Sequence, residues 1–172
     1  LAKELGLQVT DEIPQKEYLL IEEFIQKGDA KHFLEITGGM LTHINEKGQI
    51  KYEIFEPSES LAETEILSLE EKFLAGEGQN LTPSRFSKDE HEQQRISMEV
   101  RNTLQKVAKS LGVLGYCRID AFVKIFEDGK VETHIIEVNS LPGMTPATCI
   151  YHQAAINQYN PLAFIKGILN FG

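Results

Sequence analysis

Extended apolar segments separated by polar breaks run through the first third of the chain and predict β-strands. Two apolar segments, Tyr18 to Ile21 and Lys31 to Ile36, flank a polar break, and Gly38-Gly39 follows the second. A third segment, THINEKG, closes at a glycine, and QIKYEIFEP then alternates with period two until Pro57. We therefore expect antiparallel strands joined by short connections in this part of the chain.

A helical period follows a long polar stretch. Residues 58–87 lack a clear period and predict a long connection, with a turn of helix around Leu67 to Leu74. Ser87 is the predicted N-cap of the next helix, with Glu90 as its capping-box partner, and Gly112 ends it. The predicted apolar face of this helix consists of Ile96, Val100, Leu104, Val107 and Leu111.

The segment GYCRIDAFVKIFEDGKVETHIIEVNS predicts a β-hairpin around Asp128-Gly129. A two-residue turn there places Asp120 opposite Glu137 and Arg118 opposite Asn139, and residues two apart in a strand share a face. These four side chains are therefore predicted to form one patch. The other face of the first strand is then core, and it carries Cys117, Ile119, Ala121 and Val123.

The last segment, NPLAFIKGILNF, returns to helical spacing, with apolar residues at Leu162, Ile165, Ile168 and Leu169. Helices that follow antiparallel strands predict an α+β fold, in which helices pack on an antiparallel β-sheet.

The facing carboxylates of Asp120 and Glu137 point to a bound cation. Their Cβ atoms would lie about 4.5–5.5 Å apart, and unit charges ~4 Å apart repel by about 4 kcal/mol at an effective dielectric of about 20. A solvated sheet face with Arg118 as a partial screen is one solution. The other is Mg²⁺, which prefers such oxygen ligands and completes its shell with water and substrate phosphates, so that a nucleotide is also predicted.

Composition excludes several classes of partner. The chain has 172 residues, is 41% hydrophobic and carries a net charge of -9, so it has no electrostatic footprint for nucleic acid or an anionic membrane surface. No stretch approaches the ~20 apolar residues of a membrane span, and we expect a soluble, cytoplasmic protein. Cys117 and Cys149 lie in apolar stretches without metal-type spacing and are expected to be structural.

Three motifs together resemble the C-terminal half of the ATP-grasp enzymes, and most closely the D-alanine:D-alanine ligase family. GYCRID and EVNSLPGMT are similar to its R-x-D, E-x-N and P-G-M-T signature, EKFLAGEGQNLTPSRF resembles its lysine loop, and LIEEFIQKGD resembles its nucleotide hinge. The resemblance runs from about Tyr18 to the C-terminus. It implies that residues 1–172 are the C-terminal portion of an ATP-grasp ligase domain, with 1–17 a remnant of the central ATP-binding subdomain. The N-terminal substrate domain and most of that subdomain would be absent, and the fragment alone would be inactive.

The resemblance also implies metal and substrate roles. Asp120, Glu137 and Asn139 would bind two Mg²⁺ ions, or Mn²⁺, that bridge the phosphates of ATP. Arg118 and the Gly143 amide would stabilise negative charge on the tetrahedral intermediate. Lys72 and Thr148 would both bind the carboxylate of the second substrate. Lys72 would also reach the transferred phosphate. On its own, Lys72 is equally consistent with a solvated surface lysine.

The hinge resemblance implies the nucleotide contacts. Glu22, Phe24 and Ile25 would meet the adenine, Asp29 would take the ribose hydroxyls in place of a family glutamate, and Ile136 would join them. Strand core is the alternative for the side chains of Phe24 and Ile25.

The implied activity is ATP-dependent ligation of two D-alanines through a D-alanyl phosphate, a step of peptidoglycan precursor synthesis, by a full-length homodimer. Phe73 stands where the family usually has Tyr after the lysine, which leaves D-lactate, D-serine and other second substrates open. Another ATP-grasp carboxylate-amine ligase and a non-catalytic nucleotide-binding module are the two competing hypotheses.

Overall fold

A computed structural model of the chain describes residues 21–61, 80–145 and 148–170. The strands are β1 (His32–Ile44), β2 (Ile50–Ile54), β3 (Ser58–Ser60), β4 (Asn80–Leu81), β5 (Tyr116–Ile125) and β6 (Val131–Asn139), and the helices are α1 (Glu90–Ser110), α2 (Cys149–Ile156) and α3 (Pro161–Leu169). All strand pairs are antiparallel, and helices pack on the sheet. The predicted α+β fold is confirmed.

Strand β1 is the centre of the sheet, whose order is β4-β3-β1-β5-β6. One edge of β1 pairs with β5 along ten residues, from His32 to Leu41. The other edge pairs first with β3, at Ile36 and Thr37, and then with β2, from Met40 onward. The partner of β1 therefore changes in the middle of the strand.

Successive residues of β1 supply two separate cores, because strand side chains alternate between faces. Ile36 and Met40 pack with helix α1 on one face, whereas Leu41 packs with α2 and α3 on the other. The α1 core contains Ile36, Met40, Ile54, Phe86, Ile96, Val100, Leu104, Ala108, Cys117, Ile119, Ala121, Val123 and Ile125. The second core contains Leu41, Phe55, Ile150, Ala154 and Phe164. The predicted core face of β5 is thus confirmed.

The glycine pair Gly38-Gly39 lies inside β1, so the second and third predicted segments form one strand. The prediction that these glycines follow the end of a strand was wrong. A Cβ at Gly38 would lie 2.4 Å from Leu104 Cδ1 of α1, and one at Gly39 would lie 2.5 Å from Gln153 Oε1 of α2. Helices press against β1 from both faces at this point. The glycines therefore permit close packing, and β1 runs without a break for 13 residues.

Helix α1 begins two residues later than predicted. Its N-cap is Asp89, whose side chain accepts a hydrogen bond from the Glu92 amide at 2.9 Å, while Ser87 Oγ accepts from the Asp89 amide. The predicted apolar face is confirmed at its first three positions, which are buried. Leu111 is the C-cap and is exposed, since Gly112 takes a positive φ of 63° and ends the helix.

The C-terminal helices differ from the prediction. Helix α2 was not predicted, and in α3 the fully buried residue is Phe164, whereas Leu162 and Leu169 are exposed. Phe164 makes edge-on ring contacts with Phe55 and Tyr151, and these contacts fix the rotation of α3.

Within residues 58–87, the short strands β3 and β4 were also not predicted. The expected turn of helix at Leu67 to Leu74 and the segment from Tyr18 to residue 20 lie outside the described residues. Across the described residues, no helix combines the length and hydropathy of a membrane span.

Candidate metal and substrate site

The hairpin that carries the site has a three-residue loop, so the predicted two-residue turn was wrong. The Phe126 amide donates to the Lys130 carbonyl at 3.0 Å, and the Gly129 amide donates to the Phe126 carbonyl at 3.1 Å. Gly129 has a φ of 82°, the left-handed conformation that closes a three-residue hairpin loop.

A β-bulge then restores the predicted pairing at the site. Ala121 pairs with Ile135, but the residue before it in β5, Asp120, pairs with Glu137, so that Ile136 is an extra residue in β6. Arg118 pairs with Asn139. The prediction that Asp120 faces Glu137 is confirmed, although the route to it along the hairpin differs.

The four predicted site residues form one hydrogen-bonded network. Arg118 donates from Nε to Asp120 Oδ1 at 3.1 Å and from Nη2 to Asp120 Oδ2 at 2.9 Å. Asn139 Nδ2 donates to Asp120 Oδ2 at 3.2 Å and to Glu137 Oε1 at 3.0 Å. Arg118 Nη2 also lies 3.9 Å from Glu137 Oε1. The predicted patch therefore exists, and Arg118, Asp120, Glu137 and Asn139 are called the metal patch below.

The environment of Asp120 favours additional positive charge. Burial raises the pKa of Asp120, and the nearby Glu137 carboxylate adds to the rise, although Arg118 and the hydroxyl of Thr37 oppose it. Only 15% of the Asp120 side chain is exposed, against 56% for Glu137. One arginine thus leaves the buried carboxylate less stable in its charged form than in water, and a cation would correct this.

The donor atoms fit a hard divalent cation. Asp120 and Glu137 offer carboxylate oxygens from facing positions on adjacent strands. The third predicted ligand, Asn139, now presents Nδ2 to both, and a 180° turn of its amide would present Oδ1 instead. No group of three or more His, Cys, Asp or Glu side chains suited to a metal occurs in the described residues, so water and a ligand would have to complete the shell.

The predicted substrate residues lie beside each other after β6. A Cβ at Gly143 would sit 3.7 Å from Thr148 Cγ2, an ordinary contact, so packing does not require a glycine there. The Thr148 hydroxyl donates to the Thr145 carbonyl at 2.8 Å. The next residue, Cys149, lies close enough to Arg118 and Asp120 for both to influence its pKa, which burial raises. This places the start of α2 beside the metal side of the site.

Two residues that the sequence did not single out support the site. Gln153 is fully buried; its Oε1 accepts from the Gly39 amide at 2.8 Å, and its Nε2 donates to the Thr37 carbonyl at 2.7 Å and to Ser58 Oγ at 2.9 Å. The hydroxyl of Thr37 donates to Asp120 Oδ1. A lone amide in the apolar segment CIYHQAAI is the signal that could have identified Gln153.

The predicted hinge residues Glu22, Phe24, Ile25 and Asp29 precede β1 and lie outside any strand. The side chain of Phe24 is 69% exposed, so the strand-core alternative fails for it, whereas Ile25 is half-buried. Lys31 contacts Glu127 at 3.2 Å. The pKa of Lys130 is raised mainly by its hydrogen bond to Glu132, and the charges of Asp128 and Asp29 also contribute to the rise. The end of this segment therefore lies at the hairpin tip.

The distance from the tip to the metal patch follows from the pairing of β1. His32 pairs with Ile125 near the tip, and Thr37 pairs with Asp120 in the metal patch. The tip and the patch are therefore about 17 Å apart, at ~3.4 Å for each of the five residues between them. Ile136, at the bulge, is exposed and adjoins the metal patch. Lys72 and Phe73 lie outside the described residues.

A family model described as D-ala D-ala ligase C-terminus matches residues 2–168. The chain belongs to this ligase family. The match covers nearly the whole chain, and it includes all four residues of the metal patch as well as the segment ahead of Tyr18.

Curated relatives from the family agree. The D-alanine–D-alanine ligase of Flavobacterium psychrophilum is 28% identical over 152 residues, which are 87% of this chain and 42% of that protein. The D-alanine–D-alanine ligase of Leptospira interrogans is 32% identical over 151 residues, 86% of this chain and 40% of that protein. The chain therefore spans about two fifths of the length of these ligases.

Two solved structures share the fold. D-alanyl-alanine synthetase A of Vibrio cholerae superposes with a TM-score of 0.54 and 20% identity over 80% of this chain and 38% of that one. The D-alanine–D-alanine ligase of Bacillus anthracis complexed with ATP superposes with a TM-score of 0.50 and 18% identity, over 87% of this chain and 39% of that one. The predicted C-terminal ATP-grasp fold is confirmed.

Proposed function

We propose that this chain is the C-terminal catalytic and metal-binding portion of an ATP-dependent D-alanine:D-alanine ligase. In the full-length protein, ATP would phosphorylate the carboxylate of one D-alanine, and the amine of a second would attack the D-alanyl phosphate and release phosphate. The product would serve peptidoglycan precursor synthesis. Residues 1–17 would belong to the central ATP-binding subdomain, and full-length protein would form a homodimer.

One observation carries the proposal: Asp120 and Glu137 face each other across two strands, with Asn139 and Arg118 beside them, in a chain of the ligase family. Facing carboxylates repel each other, and burial still raises the pKa of Asp120 although Arg118 lies beside both side chains. A bound cation would relieve the remaining repulsion, and membership of a ligase family favours an enzyme over a non-catalytic module.

The metal patch would position the nucleotide. Asp120, Glu137 and Asn139 would hold Mg²⁺, which, when bound, neutralises phosphate charge during phosphoryl transfer. Arg118 lies against both carboxylates and is 36% exposed. Its guanidinium would border the space in which a substrate oxygen becomes negative. Such preorganised charge stabilises a transition state because it needs no rearrangement during the reaction.

The remaining contacts belong to the same proposal. Glu22, Phe24, Ile25, Asp29 and Ile136 would contact the nucleoside, and Lys72 would bind the transferred phosphate. Gly143 and Thr148 would border the second substrate, since they adjoin each other and follow the metal patch in the chain. For Thr148 to bind a substrate carboxylate, its hydroxyl would have to leave the Thr145 carbonyl, which it now contacts.

The test is a ligase assay on the full-length protein with Mg²⁺, ATP and D-alanine, followed by detection of ADP and of the dipeptide by mass spectrometry. We expect D-alanyl-D-alanine to form, and D-lactate and D-serine offered as second acceptors would establish the second substrate. Asp120→Asn should lower kcat on the order of 100-fold or more. Glu127→Gln, an exposed carboxylate at the tip of the same hairpin, is the matched control and should retain activity.

The proposal fails if the full-length protein forms no peptide or ester bond with any D-amino or D-hydroxy acid. It also fails if Asp120→Asn and Glu127→Gln have equal activity, because the facing carboxylates would then have no part in the reaction.

A further inference from the structure

We propose that Thr37 is a positioning residue for the metal patch, an inference that rests on the proposed function. Thr37 lies directly opposite Asp120 on β1, and its hydroxyl donates a hydrogen bond to Asp120 Oδ1. It belongs to a different strand from every predicted metal ligand. Its contact therefore fixes the Asp120 carboxylate from outside the hairpin.

The other two donors to Asp120 have competing tasks. Asn139 must turn its amide to offer Oδ1 to a cation, and it then loses the bonds that Nδ2 makes to both carboxylates. Arg118 covers both oxygens of Asp120 and must yield at least one of them to a metal. Thr37 contacts only Oδ1 and is neutral, so its bond is compatible with a cation on Oδ2. Among the described donors to Asp120, Thr37 is therefore the one that need not change any of its bonds to this carboxylate when a cation binds Oδ2.

The backbone of Thr37 is itself fixed. Its carbonyl accepts from Gln153 Nε2 at 2.7 Å, and Gln153 Oε1 accepts from the amide of Gly39 at 2.8 Å. The side-chain amide of Gln153 thus bonds β1 where the strand partner changes from β3 to β2. A hydroxyl on such a rigid segment can hold the carboxylate within the narrow range of angles that metal binding needs.

The experiment measures metal binding directly, with Mn²⁺ alone as the probe, because carboxylate and amide oxygens that suit Mg²⁺ also suit Mn²⁺. Free Mn²⁺ is followed by electron paramagnetic resonance during titration of the full-length protein. Loss of a partner that orients a metal ligand typically weakens affinity by 10–100-fold. We expect Thr37→Val to raise the Kd about 10-fold, and Thr37→Ser, which keeps the hydroxyl, to restore it.

Thr42→Val is the matched control. Thr42 lies on the same strand and is fully buried, and its hydroxyl donates to the Gly115 carbonyl at 3.0 Å and accepts from the Gly115 amide at 2.7 Å. This substitution should lower the melting temperature and leave the Mn²⁺ Kd unchanged. A loss of affinity in Thr42→Val as large as in Thr37→Val would overturn the inference, because general destabilisation would then explain both. Thr37→Ala supplies a second hydroxyl-free variant if Thr37→Val does not fold.

The outcomes separate this inference from the proposed function. Wild-type protein that binds Mn²⁺ while Thr37→Val binds it equally well overturns the role of Thr37 alone. Failure of Thr37→Ser to restore affinity also overturns it. Wild-type protein that binds no Mn²⁺ overturns both the metal patch and the role of Thr37. Protein that binds Mn²⁺ but ligates nothing overturns the proposed reaction, and the comparison of the Thr37 variants still decides the inference.

Discussion

Replacing Gln153 by leucine should destabilise the fold, although the two side chains differ little in volume. The amide of Gln153 bonds the carbonyl of Thr37 and the amide of Gly39, and it is fully buried. Leucine fills a similar volume but removes both of these hydrogen bonds from backbone groups in the protein interior. Its other partner, Ser58, keeps a hydrogen bond with Thr82 at 2.6 Å.

The magnitude follows from those two groups. A buried donor or acceptor left without a hydrogen bond costs about 1–3 kcal/mol, so that two cost about 2–6 kcal/mol. We expect a loss of about 3 kcal/mol in the free energy of unfolding, since leucine recovers some apolar burial. For a chain of this length, the melting temperature should fall by roughly 6–12 °C.

The assay is urea and thermal unfolding of the chain, followed by far-ultraviolet circular dichroism. Gln105→Leu is the matched control: Gln105 also donates to a backbone carbonyl, that of Tyr52, at 2.8 Å, but it is only half-buried. Water can replace that bond, and the expected loss is about 1 kcal/mol or less. A Gln153→Leu protein within about 1 kcal/mol of wild type would refute the argument.

Two further predictions concern the same sheet. Gly39→Ala should lower the free energy of unfolding by about 1–3 kcal/mol. The loss should be smaller in a Gln153→Ala background, because Gln153 Oε1 is the atom that the new Cβ would approach. Strictly additive losses in a double-mutant cycle would contradict this. Burial raises the pKa of Cys117 from 9.0 to about 11, so its thiol is neutral in both states below pH about 9 and ionises first in the unfolded chain. The free energy of unfolding should therefore fall between pH 9 and 11, and less so in Cys117→Ala, as urea unfolding across this range would measure; equal slopes would contradict it.

The parts of the fold that the sequence could predict are those set by local pattern. The alternation from Ile50 to Ile54 predicts β2 correctly, and Ile54 is buried although Ile50 is exposed. The spacing of Ile96, Val100 and Leu104 reflects the buried face of α1. Gly38-Gly39 was misinterpreted because a glycine pair suggests a turn locally, whereas its cause is the approach of two helices distant in sequence. Helix α2 is short, and its apolar residues show no helical period, so only tertiary contacts define it.

The pairing of Asp120 with Glu137 was predicted correctly, but through two errors that cancel. A three-residue loop shifts the pairing by one residue, and the bulge at Ile136 shifts it back before Asp120. The sequence does contain a signal for the bulge. Val131 and Ile135 lie on the core face of β6, four residues apart, and Val138 lies on the same face only three residues after Ile135, which breaks the period of two. A shift in the hydrophobic period within a strand predicts a bulge.

The partners of Thr37 and Gln153 could not be predicted from the sequence. Thr37 and Gln153, which are joined by a hydrogen bond, lie 116 residues apart in the chain. Nothing in the local pattern around either residue specifies its partner, because both contacts depend on how β1, β5 and α2 pack in three dimensions.

The bulge also determines how the hairpin tolerates changes in length. Strand β6 contains one residue more than its pairing with β5 requires, and the surplus lies between the tip and the metal patch. Loss of one residue between Val131 and Ile136 would consume the surplus, with Val131 still opposite Ile125 and Glu137 still opposite Asp120. Strand β6 can thus lose one residue on the tip side of the bulge, by evolution or by engineering, while the two carboxylates stay in register.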